Sequence, residues 1–139
     1  MNVEEIMTRS PRVCMPKAPL TQAAQMMRDE DVGEIPVVDA ERKVLGVITD
    51  RDIVLRCVAA GDNPQDTLVE ACMTAPALTL QEGSSLEDCA RLMAAQQVRR
   101  IPIVDAAGVI CGIVSQADVV GTDARSLKAQ IAERVSVPH

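Results

Sequence analysis

Two short patterns of side chains could bind a small ligand, Thr49-x-x-Asp52 and Ser115-x-x-Asp118. Each pattern places a hydroxyl where a strand is predicted to end and a carboxylate in the first turn of the helix that follows. A hydroxyl beside the free N–H groups of a helix start suits a phosphate group. A carboxylate, which only accepts hydrogen bonds, suits the two donating hydroxyls of a ribose. Together these side chains could bind the sugar and phosphate of a nucleotide.

The same spacing is typical of a capping box, in which a Ser or Thr and an acidic residue three positions later satisfy the first N–H groups of a helix. A cap needs no ligand. A duplicated fold also duplicates its caps, so finding the pattern twice does not separate the two interpretations. The pattern alone leaves both open.

Three arginines lie close to these patterns in the sequence. Arg51 lies inside the first one, and Arg99-Arg100 precede the strand that leads to the second. The planar guanidinium of arginine bonds two phosphate oxygens at once, although most arginines are simply solvated surface charges. The equivalent positions in the other copy are Ala117 and Gly33-Glu34, so the two potential sites cannot be electrostatically equal.

Both patterns belong to an internal repeat whose copies lie 66 residues apart, as Thr49 and Ser115 do. Ile35–Ala40 returns as Ile101–Ala106, and Gly46–Asp52 returns as Gly112–Asp118. A fixed period indicates a repeated unit that buries its apolar face against its copy, and clefts between such copies hold small ligands. The predicted domains are a first repeat at 1–62, a second at 63–122, and a tail at 123–139 that forms a short helix or frays.

The elements that position the patterns follow the same order in each repeat. A short helical turn ending in Met-Thr precedes an extended piece and then a helix, with apolar residues at 3–4 spacing from Leu20 in one copy and Leu86 in the other. Ser84-x-x-Glu87 is a predicted capping box for the second of these helices, and Gly33 is a predicted terminator of the first.

Two strands and a last helix complete each repeat, with strands predicted at 35–39, 44–49, 101–105 and 109–115. The links within each strand pair are too short for a parallel crossover, so both pairs are predicted antiparallel hairpins. The predicted fold class is α+β, with two β-α-β-β-α repeats packed pseudo-symmetrically through three-stranded sheets and helices outside.

Composition excludes several classes of function. The net charge of −6 argues against a general nucleic-acid surface. The absence of Phe, Tyr and Trp removes the stacking surfaces of single-strand binders. No apolar run is long enough to cross a membrane and no signal peptide opens the chain, so we expect a cytoplasmic protein with no nucleic-acid or membrane partner.

The thiols and the single histidine do not suggest catalysis or metal binding. The five cysteines have no CxxC spacing, and the one histidine is His139. We therefore expect no metal site, and cysteines that are reduced and mostly buried. No histidine is placed for acid–base chemistry, no cysteine has an evident activating partner, and no phosphate-binding loop is present. We expect no catalytic residues and a protein that is not an enzyme.

From Val3 to Val120 the chain resembles a tandem pair of cystathionine-β-synthase (CBS) domains, often called a Bateman module. The matching motifs are Ile-Met-Thr before Pro11, Ile-Pro-Val-Val-Asp, and Gly-Val-Ile-Thr-Asp-Arg-Asp-Ile, together with their second-copy versions. The chain is most similar to short stand-alone bacterial and archaeal members, including proteins induced by hypoxia or stress.

The resemblance implies a ligand-sensing module that binds AMP, ADP, ATP or NAD(H) between its paired domains, with no obligatory cofactor. It implies a homodimer, and a ligand that modulates either this dimerisation or the docking of an unidentified protein partner. Carried over position by position, the implied ligand-binding residues are Thr49, Arg51, Asp52, Ser115, Asp118, Arg99, Arg100, Ile35, Pro36, Ile101, Pro102, Val13 and Leu78. Two alternatives stay open: a ligand-free interaction or scaffold protein of the stress response, and an S-adenosylmethionine-binding module.

Overall fold

The computed structural model describes residues 1–122, which form two compact units; the tail predicted at 123–139 lies outside the described residues. The contiguous unit is Arg12–Leu78, and the split unit combines Met1–Pro11 with the chain from Thr79 onward. The strands are β1 (Thr8–Arg9), β2 (Glu34–Val38), β3 (Val44–Thr49), β4 (Leu80–Gln81), β5 (Arg100–Val104) and β6 (Ile110–Ser115). The helices are α1 (Leu20–Glu30), α2 (Asp50–Ile53), α3 (Val69–Cys72), α4 (Leu86–Gln96) and α5 (Gln116–Val120), with a 3-10 turn at Val3–Glu5 and a π-helical segment at Val54–Val58.

The contiguous unit is built on the antiparallel hairpin of β2 and β3, confirming the predicted strand pair. Cys14 bridges Val37 in parallel on one side of the hairpin. On the other side, Thr74 and Val47 exchange N–H···O hydrogen bonds of 2.9 and 2.8 Å. An extended segment therefore lies along each edge of the hairpin.

The split unit has the same arrangement 66 residues later, with a four-stranded sheet in the order β1-β6-β5-β4. The β5–β6 hairpin is antiparallel. Leu80 of β4 pairs with Ile103 in parallel, and Thr8 of β1 pairs with Ile113 in antiparallel fashion. The expected α+β class is confirmed, but the sheet here has four strands rather than three.

The additional edge partner of each hairpin comes from the Met-Thr segment that leads into a repeat, as β1 in the split unit and as an isolated bridge at Thr74 in the contiguous unit. Met7-Thr8 precedes the first repeat in sequence, yet Thr8 pairs with the second repeat's hairpin. Met73-Thr74 precedes the second repeat, yet Thr74 pairs with the first repeat's hairpin. The predicted boundaries 1–62 and 63–122 follow the sequence repeat, whereas the compact units are offset from it because the two lead-in segments are exchanged.

Glycine in the repeated Gly-apolar-apolar motif makes room for the exchanged segments. A Cβ atom at Gly46 would lie 2.5 Å from the Thr74 carbonyl oxygen, and one at Gly112 would lie 2.8 Å from the Thr8 carbonyl oxygen. Side-chain carbons essentially never approach backbone oxygens so closely, and close approach of another backbone is one reason for glycine in a strand.

The long helices α1 and α4 end on residues in the left-handed conformation, Asp31 (φ 55°) and Gln97 (φ 54°). Gly33, predicted to end α1, lies beyond that end, because the N–H of Asp31 already bonds the Met27 carbonyl. The predicted Ser84-x-x-Glu87 box is also wrong by one residue. Ser85 caps α4, and its hydroxyl accepts from the N–H of Asp88 at 3.0 Å.

Each unit has its own apolar core, and the cysteines lie largely inside them. Cys14, Cys57 and Cys72 belong to the core of the contiguous unit, and Cys89 belongs to that of the split unit. All five cysteines are free thiols, and only Cys111 is partly exposed. The expectation of mostly buried cysteines is confirmed, and their reduced state stays a prediction. None of the described helices combines the length and apolar character that a membrane crossing needs.

Candidate functional site

Both predicted patterns form complete capping boxes in the structure. The Thr49 hydroxyl accepts from the N–H of Asp52 at 3.0 Å, and the Asp52 carboxylate accepts from the N–H of Thr49 at 3.1 Å. The corresponding distances between Ser115 and Asp118 are 3.1 and 2.8 Å. The helix-capping interpretation is thus confirmed at both corners. Since each box occupies only Oδ2 of its aspartate, the remaining partners of the carboxylates decide what else the corners can bind.

Both oxygens of the Asp52 carboxylate have partners within the protein itself. The Thr74 hydroxyl lies 3.1 Å from Oδ1 and 3.2 Å from Oδ2 and donates to this carboxylate. Arg56 Nη1 lies 3.7 Å from Oδ1. We call these contacts, with the bond from Thr49, the Asp52 network. Asp52 is only 7% exposed, so this charge is compensated by bonded partners, as a buried charge must be.

Arg56 also ties the exchanged lead-in segment to this corner. Its Nη1 donates to the carbonyl oxygens of Cys72 and Met73 at 3.1 and 3.0 Å. The next residue, Thr74, continues this segment with its own bond to Asp52 and its pairing with Val47. The corner and the lead-in segment therefore form one connected polar structure.

The Asp118 carboxylate has far fewer partners. It is half-buried, and its Oδ1 accepts no hydrogen bond from residues 1–122. Thr8, the equivalent of Thr74 in the repeat, lies in β1 and does not bond it within the described chain. The equivalent of Arg56 is Thr122, whose hydroxyl donates to the Val119 carbonyl at 2.8 Å. Within the described part of the chain, one carboxylate oxygen of Asp118 thus keeps its capacity to accept hydrogen bonds.

Asp118 lines an open depression in the split unit, with a volume of about 510 Å³. This volume lies within the range of roughly 300–1,000 Å³ that small-molecule sites occupy. Most of the lining side chains are small or apolar; the lining residues are Met1, Ile6, Ala117, Asp118, Gly121 and Thr122. The depression therefore combines an apolar wall with a carboxylate.

The cross-strand neighbours of Thr49 and Ser115 differ in the sign of their charge. Arg100 pairs with Ser115 across β5 and β6, and Glu34 pairs with Thr49 across β2 and β3. Directly opposed residues in an antiparallel pair project on the same face of the sheet. The Nε of Arg100 is buried and has no hydrogen-bond partner among residues 1–122. The Ser115 corner has a cation where the Thr49 corner has an acid.

The other predicted ligand-binding residues divide between the units. Ile35 and Ile101 are core residues, 2% and 0% exposed. Pro36 and Pro102 are buried beside them, while Val13 is half-buried and the side chains of Leu78, Arg51 and Arg99 are exposed. The contiguous unit holds Val13, Ile35, Pro36, Thr49, Arg51, Asp52 and Leu78, and the split unit holds Arg99, Arg100, Ile101, Pro102, Ser115 and Asp118. The ligand contacts assigned to all of these residues, those of the two corners included, stay a prediction.

The sequence prediction missed Thr74, Arg56 and the apolar pair of Met1 and Ile6. Arg56 follows Asp52 at i,i+4 spacing, a recognised signal for an ion pair on a helix. Thr74 belongs to the repeated Met-Thr segment, but nothing local indicated that this segment is exchanged. Among residues 1–122, no three His, Cys, Asp or Glu side chains cluster as metal ligands would.

Comparison of the sequence with known proteins gives matches over most of the chain. A family model for the CBS domain matches residues 3–58 and again residues 69–124. The CBS domain-containing protein YhcV of Bacillus subtilis is 40% identical over 119 residues, which cover 85% of this chain and 82% of that protein. A protein of Methanopyrus kandleri, MK0525, is 30% identical over 119 residues. That match covers 86% of this chain but spans only 61% of the relative's length.

Solved structures that share the fold at more than 25% identity include the following two. CBSX2, in a crystal structure with AMP, has a TM-score of 0.75 and 27% identity, covering 93% of this chain and 98% of that chain. Hypoxic Response Protein I, in a crystal structure with two coordinated zinc ions, has a TM-score of 0.79 and 29% identity, covering 86% of this chain and 97% of that chain. The AMP and zinc are ligands of those proteins.

Proposed function

Because the chain belongs to the CBS domain family, as a tandem pair of these domains, we propose that it is a regulatory module that binds an adenosine nucleotide. The proposed ligands are AMP, ADP, ATP and NAD(H), and the proposed role is sensing rather than catalysis. Ligand binding would act by favouring one association state of the chain, which a ligand can do only through different affinities for the two states.

One observation carries this proposal: Asp118, a partly buried carboxylate that lines an apolar depression, has one oxygen that accepts no hydrogen bond from residues 1–122. A ribose offers two hydroxyl donors, which match a carboxylate. Arg100, opposite Ser115, supplies a cation near the same corner, and arginine suits phosphate. The complex of the related CBSX2 with AMP supports the choice of an adenosine ligand.

The apolar wall of the depression can hold an adenine ring without aromatic side chains. Met1 and Ile6 line it, and a methionine thioether makes favourable contacts with aromatic rings, worth about 0.3–1.5 kcal/mol. Ala117 contributes a small side chain next to Asp118, where the equivalent residue of the first corner is the much larger Arg51. The base would therefore lie against aliphatic and thioether groups.

The chemistry of the described side chains supports binding rather than catalysis. The only histidine is His139. Burial raises the pKa of Cys14 and Cys89 to about 11, and a thiol that stays protonated is a poor nucleophile. We therefore propose a module without catalytic activity.

We propose a homodimer as the form whose association the ligand modulates. The surface of the π-helical segment carries three exposed apolar side chains, Val54, Leu55 and Val58, which are 54%, 50% and 59% exposed. Neighbouring apolar side chains on one helical surface are typical of protein contacts, and symmetric dimers are the commonest homo-oligomers.

Equilibrium dialysis against AMP tests the proposed function directly. The chain has no Phe, Tyr or Trp, so the protein itself contributes almost no near-ultraviolet absorbance. The excess absorbance of the protein compartment over the buffer compartment therefore reports bound nucleotide. We expect saturable binding of AMP. Thermal unfolding should shift upward, because ligand at about 100-fold its Kd adds about 2.7 kcal/mol to the free energy of unfolding. Sedimentation velocity on the same samples gives the association state.

S-adenosylmethionine and guanosine monophosphate complete the panel. Preferential binding of S-adenosylmethionine would select the alternative of an S-adenosylmethionine module, and guanosine monophosphate controls for nonspecific phosphate binding. If no adenosine ligand binds or raises the unfolding temperature, the sensor proposal is wrong and the scaffold alternative stands.

A further inference from the structure

We propose that Thr74 and Arg56 close the Asp52 corner to ligand, so that the ribose contact of the proposed function belongs to Asp118 alone while those contacts persist. The inference deepens the proposed function and rests on it. It assigns Thr74, a residue of the exchanged lead-in segment, as an internal occupant of the position that a ribose would take on Asp52.

The first step is a count of the acceptor positions on each carboxylate. An ionised carboxylate has about four acceptor positions. At Asp52, Oδ1 faces the Thr74 hydroxyl at 3.1 Å and Arg56 at 3.7 Å. Oδ2 takes the N–H of Thr49 at 3.1 Å and shares the Thr74 hydroxyl at 3.2 Å. At Asp118, only the N–H of Ser115 is bonded within residues 1–122.

The second step is the cost of displacement. A ribose that approached Asp52 would have to replace the Thr74 hydroxyl, whose segment is held in place by the backbone hydrogen bonds between Thr74 and Val47. It would also approach a carboxylate that is 7% exposed. Hydrogen bonds to an ionised group are roughly twice as strong as neutral ones. A ribose at Asp52 would therefore replace an existing charge-assisted bond, whereas a ribose at Asp118 would form a new one.

The third step concerns the charge beside each corner. Glu34 lies opposite Thr49, and Asp50 and Asp52 flank Arg51 in sequence. The acids offset the positive charge that Arg51 brings to a phosphate. Arg100 lies opposite Ser115, and its Nε has no partner among residues 1–122. Both the ribose and the phosphate of a nucleotide are better matched at the Asp118 corner.

Equilibrium dialysis with AMP on three single variants tests this assignment. Wild-type protein should bind a single equivalent of AMP per chain. Asp118→Asn, which keeps the capping geometry but removes the charge, should weaken AMP binding by at least about tenfold. Asp52→Asn should lower the unfolding temperature and leave the AMP affinity within about threefold. Thr74→Val, which removes only the hydroxyl, should add a second, weaker AMP site.

Ser85→Ala is the matched control, because it removes a capping hydroxyl from α4 of the split unit without touching either corner. It should lower stability and bind AMP as the wild type does. The assignment is overturned if Asp52→Asn abolishes binding while Asp118→Asn retains it, or if wild-type protein binds two equal equivalents of AMP.

A double-mutant cycle without ligand separates this inference from the proposed function. Thr74→Val and Asp52→Asn should be non-additive in urea unfolding, because the two side chains are bonded. Thr8→Val and Asp118→Asn, the equivalent pair, should be additive. Failure of the wild type to bind AMP would overturn the proposed function and the ribose assignment together. If the effects of Thr74→Val and Asp52→Asn on the free energy of unfolding are additive, the inferred role of the Thr74 hydroxyl at Asp52 is wrong, even where AMP binds.

Discussion

The thiols of Cys14 and Cys89 lie one in each apolar core and titrate far above their ordinary range. Both side chains are buried, with 1% and 0% of their surface exposed. Burial disfavours the charged thiolate and raises the pKa from 9.0 to about 11 at each residue. A raised pKa means that the folded chain holds these protons more tightly than the unfolded chain does.

This difference predicts the stability of the protein at alkaline pH. The contribution of the two thiols is fully present below pH 9.0 and is lost as pH rises toward about 11. We expect the free energy of unfolding, measured in urea across this range, to fall less steeply in the Cys14→Ala/Cys89→Ala double variant than in the wild type. The slope should differ by up to about 1.4 kcal/mol per pH unit for each thiol.

Val37→Ala is the control for this prediction, because Val37 is buried in the same core as Cys14 and does not ionise. It should lower stability at every pH and leave the slope unchanged. A double cysteine variant with the wild-type slope would contradict the prediction.

The sequence identified the two corners because their chemistry is local: a hydroxyl, a carboxylate and three residues of spacing. It did not identify which carboxylate is available. Thr74 reaches Asp52 from 22 positions away in the chain, and a contact of that kind depends on tertiary structure. Apart from the capping residue Thr49, Arg56, at i,i+4 from Asp52, is the one member of the Asp52 network that sequence spacing could have indicated.

Among the elements, the long strands and helices were predictable because their apolar patterns span several residues. The edge strands β1 and β4 have two residues each, too few for a periodic pattern. The end of α1 was placed too late, at Gly33, because Asp31, like Gln97 after α4, is not the glycine that commonly takes the left-handed position after a helix. A local rule fails where a less favourable residue adopts the required backbone conformation.

The left-handed Gln97 predicts a stabilising substitution. Gln97→Gly relieves the steric cost of a side chain at φ 54°, which exceeds the entropy that glycine loses on folding. We expect the free energy of unfolding in urea to rise by about 0.5–1 kcal/mol. Ala95→Gly, at an exposed position inside the same helix, should lower it by about 1 kcal/mol. Two changes of the same sign would contradict this account of the helix end.

At the scale of the whole molecule, the exchange of lead-in segments decides which pieces of the chain can fold alone. Every residue of the core that contains Leu20 and Ile48 lies within Arg12–Leu78. The core that contains Leu86 needs Val3 and Met7 from the start of the chain. A fragment able to fold alone should therefore follow the bounds of a compact unit and not those of a sequence repeat.

We expect the fragment 12–78 to unfold cooperatively in urea and the fragment 1–62 to lack a cooperative transition. The two fragments have similar lengths. The second lacks Val69 and Cys72 of the core and the segment that pairs with Val47. Circular dichroism and amide NMR dispersion provide the measurement. Equal cooperativity in the two fragments would contradict the offset between units and repeats.

The pairing of Thr8 with Ile113 also has a consequence for the order in which the chain acquires its structure during synthesis. The contiguous unit has all its parts once residue 78 has been made, whereas β1 must wait for β6. Until residue 74 is made, the edge of β3 at Val47 is unpaired, and the only Met-Thr segment already made is Met7-Thr8. The nascent chain thus holds the wrong copy of the segment first, and correct assembly requires Met73-Thr74 to take that edge and leave Met7-Thr8 for a strand made later.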